Sequence, residues 1–138
     1  METHISKQPS KLNIRNNKIL RLLQKAPIDT RITQLYTNFN TMPLPDLHKF
    51  QISKFVHKFI HRQDQLPSIY SYYFNKNRIF HSYNTGTKDA LHSQSFRTSL
   101  GQRSITYKGA ILWNAEELKD IISATKFSQK LKELYIND

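Results

Sequence analysis

Lysine and arginine side chains recur at spacings that place them on one side of a helix, and the chemistry they offer is contact with phosphate. Residues 11–25 carry five cations and no acid, and residues 47–62 carry four and no acid. The whole chain has 21 Lys and Arg against 10 Asp and Glu, a net charge of +11. A field of this sign favours polyanions, with nucleic acid first, although a solvated basic surface is the alternative. The residues predicted to contact RNA or DNA phosphates are Lys18, Arg21, Lys54, Lys58, Arg97, Arg103 and Lys108.

Two histidines, His57 and His61, stand four residues apart and could share a metal ion. A third ligand is not evident nearby and cations flank both, so we expect solvent-facing histidines, no metal and no cofactor. The chain also lacks a Gly-rich phosphate loop, paired carboxylates of a two-metal site and a nucleophile elbow. We therefore expect no catalytic residues, no small-molecule substrate and no enzyme activity of the chain on its own.

The run Ile69–Phe74 is dense in aromatic residues. Core packing is the first interpretation, and a base-stacking platform for single-stranded nucleic acid is the alternative.

The apolar pattern predicts helices that would position the cations. One covers residues 11–25, with Leu12, Ile19, Leu20 and Leu23 on its packed side, and ends before Pro27. Ile32–Phe39 is a short helix or linker that Asp29 or Thr30 could cap. A core helix runs from Pro45 to about Arg62 and buries Ile52, Phe55, Val56, Phe59 and Ile60. The last helix, near Lys126–Ile136, buries Phe127, Leu131 and Leu134.

The segment Leu91–Asn114 breaks this period. Apolar residues alternate from Ile105 to Trp113, which predicts a strand, and Ser95–Thr98 could pair with it as a hairpin. Trp113 is then structural, and Asn114 caps a further helix over Ala115–Ile122. A short strand is also predicted at Ile79–Tyr83. The predicted fold is mainly α, a small helical single domain over residues 1–138 with a short β-hairpin near residues 95–113 and a disordered stretch at residues 1–10.

The chain has no cysteine, no signal-peptide pattern and no apolar run long enough to cross a bilayer. We expect an intracellular protein that does not enter a membrane, with cytoplasm and nucleus both open.

Several segments, in order, resemble the C-terminal region of the reverse transcriptase of non-LTR retrotransposons of the LINE type (jockey/CR1-like). They are Asn17–Gln24 (NKILRLLQ), the stretch LYTNFNTMPLPDLHKFQ from Leu35, Phe55–Phe59 (FVHKF), His81–Thr85 (HSYNT), Gly101–Asn114 (GQRSITYKGAILWN) and Phe127–Leu131. The chain departs from the family pattern at Gly86, where an arginine is expected, and after Asn114, where Ala-Glu-Glu replaces Ser-Leu-Pro.

The resemblance implies the thumb edge and C-terminal segment of an RNA-directed DNA polymerase, which would grip template RNA or primer–template duplex. The palm aspartates that hold the catalytic metals and the endonuclease have no counterpart in these residues. Two other hypotheses stay open: a truncated or decayed element product without activity, and a protein-interaction module that packs on a palm-containing reverse transcriptase.

Overall fold

A computed structural model describes residues 11–82 and 86–137, and its regular secondary structure is helical. The helices are α1 (Lys11–Gln24), α2 (Ile32–Asn38), α3 (Leu44–His61), α4 (Asn77–Phe80), α5 (Ser99–Gln102), α6 (Ile105–Ala115) and α7 (Ala124–Asn137). Turns of 3₁₀-helix lie at Gln63–Gln65 and Ser68–Tyr72. The predicted fold class, mainly α, is confirmed.

The centre of the fold is α3, which packs against both α6 and α7. Pro45 stands in its first turn, as predicted, where its missing N–H leaves no hydrogen bond unmade. Ile52, Val56 and Phe59 are buried, and Phe55 and Ile60 are partly buried against the same core. The predicted buried stripe of the core helix is therefore correct.

Three other parts of the chain close the main core around α3. The connection between α3 and α6 contributes Phe74 and Leu91, α6 contributes Trp113, and α7 contributes Phe127 and Leu131. Each such side chain adds about 1.5–3 kcal/mol by leaving water. The structural role predicted for Trp113 is confirmed, because its side chain is 6% exposed. The prediction for Leu134 is wrong, since it is about half exposed on α7.

A second, smaller cluster joins α1 to α2 through Leu20, Leu35 and Tyr36. The predicted packed side of α1 is wrong in most of its members, because Leu12, Ile19 and Leu23 are more than half exposed. The reason is that α2 has only seven residues and covers one narrow strip of α1.

Polar side chains complete the contact between α1 and α2. The Tyr36 hydroxyl donates to Oδ1 of Asn17 at 2.6 Å and accepts from Nδ2 of Asn16 at 3.0 Å. Nε2 of Gln24 donates to the Leu35 carbonyl at 2.7 Å. The side-chain amides of α1 therefore make the contact with α2 that the apolar pattern had assigned to leucines.

The boundaries of α1 and α2 follow from local backbone geometry. Lys25 and Asn40, each with φ of 49°, follow the two helices in the left-handed conformation that ends many helices. Pro27 lies just beyond, as the sequence predicted. The predicted cap of α2 is wrong: its N-cap is Arg31, and no side chain bonds to the first turn.

The predicted hairpin at residues 95–113 is wrong, because Ile105–Ala115 is a helix and Ser99–Gln102 is a helical turn. Ser104 caps α6 by accepting from the Tyr107 N–H at 3.3 Å. Eight of the eleven residues of α6 are apolar, so a helical spacing (Ile105, Gly109, Trp113) is present together with the period of two. Packing against α3 selects the helix, and the β pairing found in the described residues is one isolated bridge, between Lys76 and Leu91.

Two neighbouring predictions fail for related reasons. Asn114 lies inside α6, and residues 116–123 form a loop whose start is fixed by Glu116 accepting from the Leu118 N–H at 3.1 Å. Residues 77–80 form α4 where a strand was predicted, while Tyr83 lies outside the described residues. The disorder predicted for residues 1–10 also concerns residues outside that range. Among the helices that the structure describes, none has the length and apolarity to cross a bilayer.

Candidate nucleic-acid interface

A basic groove runs along the surface where α3 meets the first turns of α7. Its cationic lining residues are Lys54, Lys58, Arg62 and Lys132. Two adjoining hollows of about 230 and 530 Å³ form the groove, and they share Lys54 and Ala124. Among the residues that the structure describes, no acidic one lines either hollow. We call this surface the α3–α7 groove.

The cations of the groove come from helical spacing on α3. Lys54, Lys58 and Arg62 stand four residues apart and therefore project along one side, the last from the residue that ends the helix. All three are exposed. The ammonium of Lys54 lies 5.3 Å from the centre of the Phe50 ring, a cation–π contact that holds it beside the groove.

The opposite wall of the groove is the beginning of α7. Ala124 and Thr125 of its first turn line the hollows, and the Ser123 hydroxyl accepts from the Lys126 N–H at 3.5 Å. The positive end of the helix dipole therefore adds to the four cations rather than opposing them. The chemistry of this surface suits a chain of phosphates.

The predicted residues Lys18 and Arg21 line a different hollow, on α1, together with Lys25. Arg21 is half-buried, and one of its terminal nitrogens donates to the Thr30 carbonyl at 3.4 Å. Part of this guanidinium is therefore engaged in holding the α1–α2 turn, while Lys18 remains exposed.

Arg97 and Arg103 bracket the turn that contains α5, and both are exposed. The Thr98 hydroxyl accepts from the Gly101 N–H at 3.2 Å, and Nε2 of Gln102 donates to the Phe96 carbonyl at 3.1 Å. These bonds hold the two arginines on a defined turn rather than on a strand.

Lys108 lies on α6 beside the beginning of α3, with its ammonium 3.5 Å from Nε2 of His48. It lines a hollow with His48 and Lys49. Lys49 and Lys54 are separated by roughly 140° around the α3 axis, so Lys108 and the groove occupy different sides of α3. Of the seven predicted residues, the structure brings Lys54 and Lys58 together in one groove and places the others on other surfaces.

Sequence reasoning missed two members of the groove. Arg62 continues the spacing of Lys54 and Lys58, so the helical period alone could have identified it. Lys132 lies 70 residues beyond Arg62 along the chain, and only the packing of α7 on α3 brings it to the groove.

The prediction that His57 faces solvent is wrong, because its ring is 1% exposed. The ring stacks on Phe127 with centroids 4.2 Å apart, and burial lowers the pKa of His57 below its usual value of 6.5, outweighing the Ile121 carbonyl, which raises it. Nε2 of His57 contacts the Ile121 carbonyl at 2.6 Å, and Nε2 of His61 contacts the Lys119 carbonyl at 3.2 Å. A carbonyl can only accept, so both Nε2 atoms carry hydrogen and face backbone oxygen. Among the described residues, no group of three or more potential metal ligands occurs.

Aromatic residues of the run Ile69–Phe74 divide between core and surface. Phe74 is buried, and Tyr70 and Tyr73 pack edge-on against Phe55 at 5.4 and 6.4 Å between centroids. Tyr72 is 83% exposed. Packing therefore accounts for three of these rings and leaves the Tyr72 ring at the surface.

Comparison of the chain with family models, with curated proteins and with solved structures gives no match.

Proposed function

We propose that this protein binds RNA or primer–template duplex through backbone phosphates, without catalysing a reaction itself, as the C-terminal part of a LINE-type reverse transcriptase. The nucleic-acid part of the proposal is supported by the α3–α7 groove, in which four cations and a helix N-terminus meet and no described lining residue is acidic. The family part rests on the ordered resemblance of the sequence segments.

The dimensions of the groove support contact with several phosphates. Lys54 and Arg62 are eight residues apart, which is about 12 Å along a helix. One strand of a duplex places a phosphate at every 3.4 Å or so of helix axis, so this row can follow several nucleotides. Contacts of this kind position a protein on nucleic acid without reading its sequence.

A fluorescence-anisotropy titration of labelled RNA and DNA across salt concentrations tests the proposal. If the four groove cations each neutralise one phosphate of a DNA duplex, the logarithm of the binding constant should fall against the logarithm of salt with a slope near −3.6, which is about −0.9 per contact. Binding should depend little on sequence. Absence of measurable binding at low salt would overturn the proposal.

The exposed apolar residues of α1 favour a second candidate, a module that packs on a palm-containing reverse transcriptase. Leu12, Ile19 and Leu23 form a strip about 100° around the helix axis from Lys11 and Lys18. An uncovered strip of this kind is typical of a protein contact surface. A complex with the palm-containing protein that persists at high salt, and that Leu23→Ser weakens, would favour this candidate.

A decayed product without activity would also have that uncovered strip on α1. Measurement of its stability distinguishes it from the nucleic-acid-binding protein and from the protein-interaction module. A chain that has lost its packing should unfold without cooperativity and aggregate. A single cooperative urea transition, with nucleic-acid binding, would exclude it.

A further inference from the structure

Beside the described core, a small cleft is walled largely by aromatic rings. Its lining residues are Tyr72, Tyr73, Asn75, Phe80, His92, Gln94, Phe96, Thr106 and Tyr107, and its volume is about 140 Å³. We call it the aromatic cleft. The Phe80 and His92 rings lie 4.4 Å apart and form one ring pair, and Phe96 meets Tyr107 edge-on at 5.8 Å. Neither the core packing nor the α3–α7 groove accounts for it.

The walls of the cleft are held by bonds between distant parts of the chain. Asn114 on α6 accepts from the Leu91 N–H at 2.9 Å and donates to the Leu91 carbonyl at 2.8 Å. Next to it, the His92 N–H donates to the Asn75 carbonyl at 2.6 Å, and Nδ1 of His92 lies 3.2 Å from Oδ1 of Asn77. The cleft is thus formed before a ligand arrives, which lowers the conformational cost of binding.

The size and the lining of the cleft suit a ligand that consists of a single aromatic ring. A cavity of about 150 Å³ is known to hold benzene, whereas drug-sized ligands occupy roughly 300–1,000 Å³. Asn75 and Gln94 bring side-chain amides and Thr106 a hydroxyl, which can pair with the carbonyl and N–H groups on the edge of a planar heterocycle. A flat polar ring between aromatic side chains is the arrangement by which proteins hold unpaired bases.

We propose that the aromatic cleft binds one unpaired pyrimidine base of single-stranded RNA or DNA. This inference rests on the proposed function, because the phosphates on either side of the base need cationic partners. Arg97 directly follows the lining residue Phe96, and it stands exposed at the beginning of the α5 turn. The base enters the cleft while Arg97 and Arg103 contact its flanking phosphates, so the cleft gives the protein a preference for single strands that the α3–α7 groove does not have.

Anisotropy titrations with labelled strands of about 12 nucleotides test the inference. The strands are oligo(U), oligo(dT) and oligo(dA), with a DNA duplex measured at the same salt. We expect oligo(U) and oligo(dT) to bind roughly fivefold or more tightly than oligo(dA), and Phe80→Ala or Tyr72→Ala to weaken binding of the two pyrimidine strands about tenfold. Duplex binding should change by less than about twofold.

Matched controls exist beside each substituted ring. Ile79 and Ile69 are both about two-thirds exposed and lie outside the cleft lining, so Ile79→Ala and Ile69→Ala should leave single-strand binding unchanged. Gln94→Ala should reduce the pyrimidine preference without changing the salt dependence. Equal affinity for oligo(dT) and oligo(dA), or equal losses on duplex and single strands, would overturn the cleft inference and leave the phosphate groove standing. Failure to bind any of the four probes would overturn both.

Discussion

Nε2 of His57 donates a hydrogen bond to the carbonyl oxygen of Ile121 at 2.6 Å, across 64 residues of sequence. This bond fastens the C-terminal part of α3 to the loop that precedes α7, and the Phe127 ring stacks on the same imidazole. The wall of the α3–α7 groove therefore depends on a buried polar residue that the sequence pattern placed on the solvent side.

Replacement of His57 by alanine should lower the free energy of unfolding by about 3 kcal/mol. The variant loses a buried ring and leaves the Ile121 carbonyl without its partner. Urea unfolding followed by Trp113 fluorescence measures the change. His48 is exposed, so His48→Ala is the matched control and should stay within about 0.5 kcal/mol of the parent chain. Similar stability of the two variants would contradict the role of His57.

Stability should fall as pH decreases below about 6.5. Burial of the His57 ring, with the nearby charges of His61 and Arg62, lowers its pKa in the folded chain. Between that lowered pKa and the unfolded value near 6.5, the unfolded chain binds more protons than the folded chain. The free energy of unfolding therefore decreases as the pH is lowered through this range, and it levels off below the pKa of the folded chain. Urea titrations from pH 8 to pH 5 measure the slope. The slope of the unfolding free energy against pH reports the difference in bound protons between the two states, and in His57→Gln that difference should decrease by up to about one proton. An unchanged slope would mean that other groups cause the pH dependence.

Removal of the α3 cations should weaken nucleic-acid binding and also make that binding less dependent on salt. In Lys54→Gln/Lys58→Gln/Arg62→Gln, the duplex salt slope should become shallower by about 0.9 per lost contact, or roughly 2.7 in all. Lys126 and Lys130 are exposed and do not line the groove, so a variant with both changed to glutamine controls for net charge. An equal change per charge in both variants would mean that the general field, and not the groove, holds the nucleic acid.

Gly109→Ala should destabilise the protein by about 1–2 kcal/mol, although alanine favours helices by roughly 1 kcal/mol over glycine. A Cβ at Gly109 would lie 2.8 Å from Cε1 and Cζ of Phe74 and 3.0 Å from Cγ2 of Val56. The Phe74 ring is buried and packs edge-on against Phe59 at 5.2 Å, so it has little room to move, and overpacking costs about 1–3 kcal/mol. Thermal unfolding measures the loss. Gly86 has nothing within 4 Å of an added Cβ, and Gly86→Ala should be close to neutral.

Asn114→Ala should cost about 1–2 kcal/mol, because one side chain makes two hydrogen bonds to the Leu91 backbone. Asn114→Asp keeps the acceptor for the Leu91 N–H but places a carboxylate oxygen against the Leu91 carbonyl, two acceptors that repel each other, so it should be no more stable than the alanine variant. If the aromatic cleft is held by this pair, the alanine variant should also lose its preference for pyrimidine strands. Retention of that preference would show that the walls stand without the pair.

The long helices could be predicted from the sequence because their signals are local. The apolar spacing of α3, the proline in its first turn and the proline after α1 depend only on neighbouring residues, and the boundaries followed from them. The cations of the groove on α3 were accessible in the same way, since their spacing is set by the helical period. The hydrophobic side of α1 was not, because the partner that decides it, α2, covers only a strip of polar residues and Leu20.

The sequence by itself determined the helical class, the positive charge and the row of cations on α3, since composition and periodicity do not depend on what packs against them. The tertiary structure alone decided the state of residues 105–115, whose apolar residues satisfy both a strand and a helix pattern until α3 offers a surface for the helix. It also decided that His57 is buried, that Lys132 lies in the groove and that the residues of the aromatic cleft lie together. Each of these depends on contacts between residues far apart in sequence, and no local pattern records such contacts.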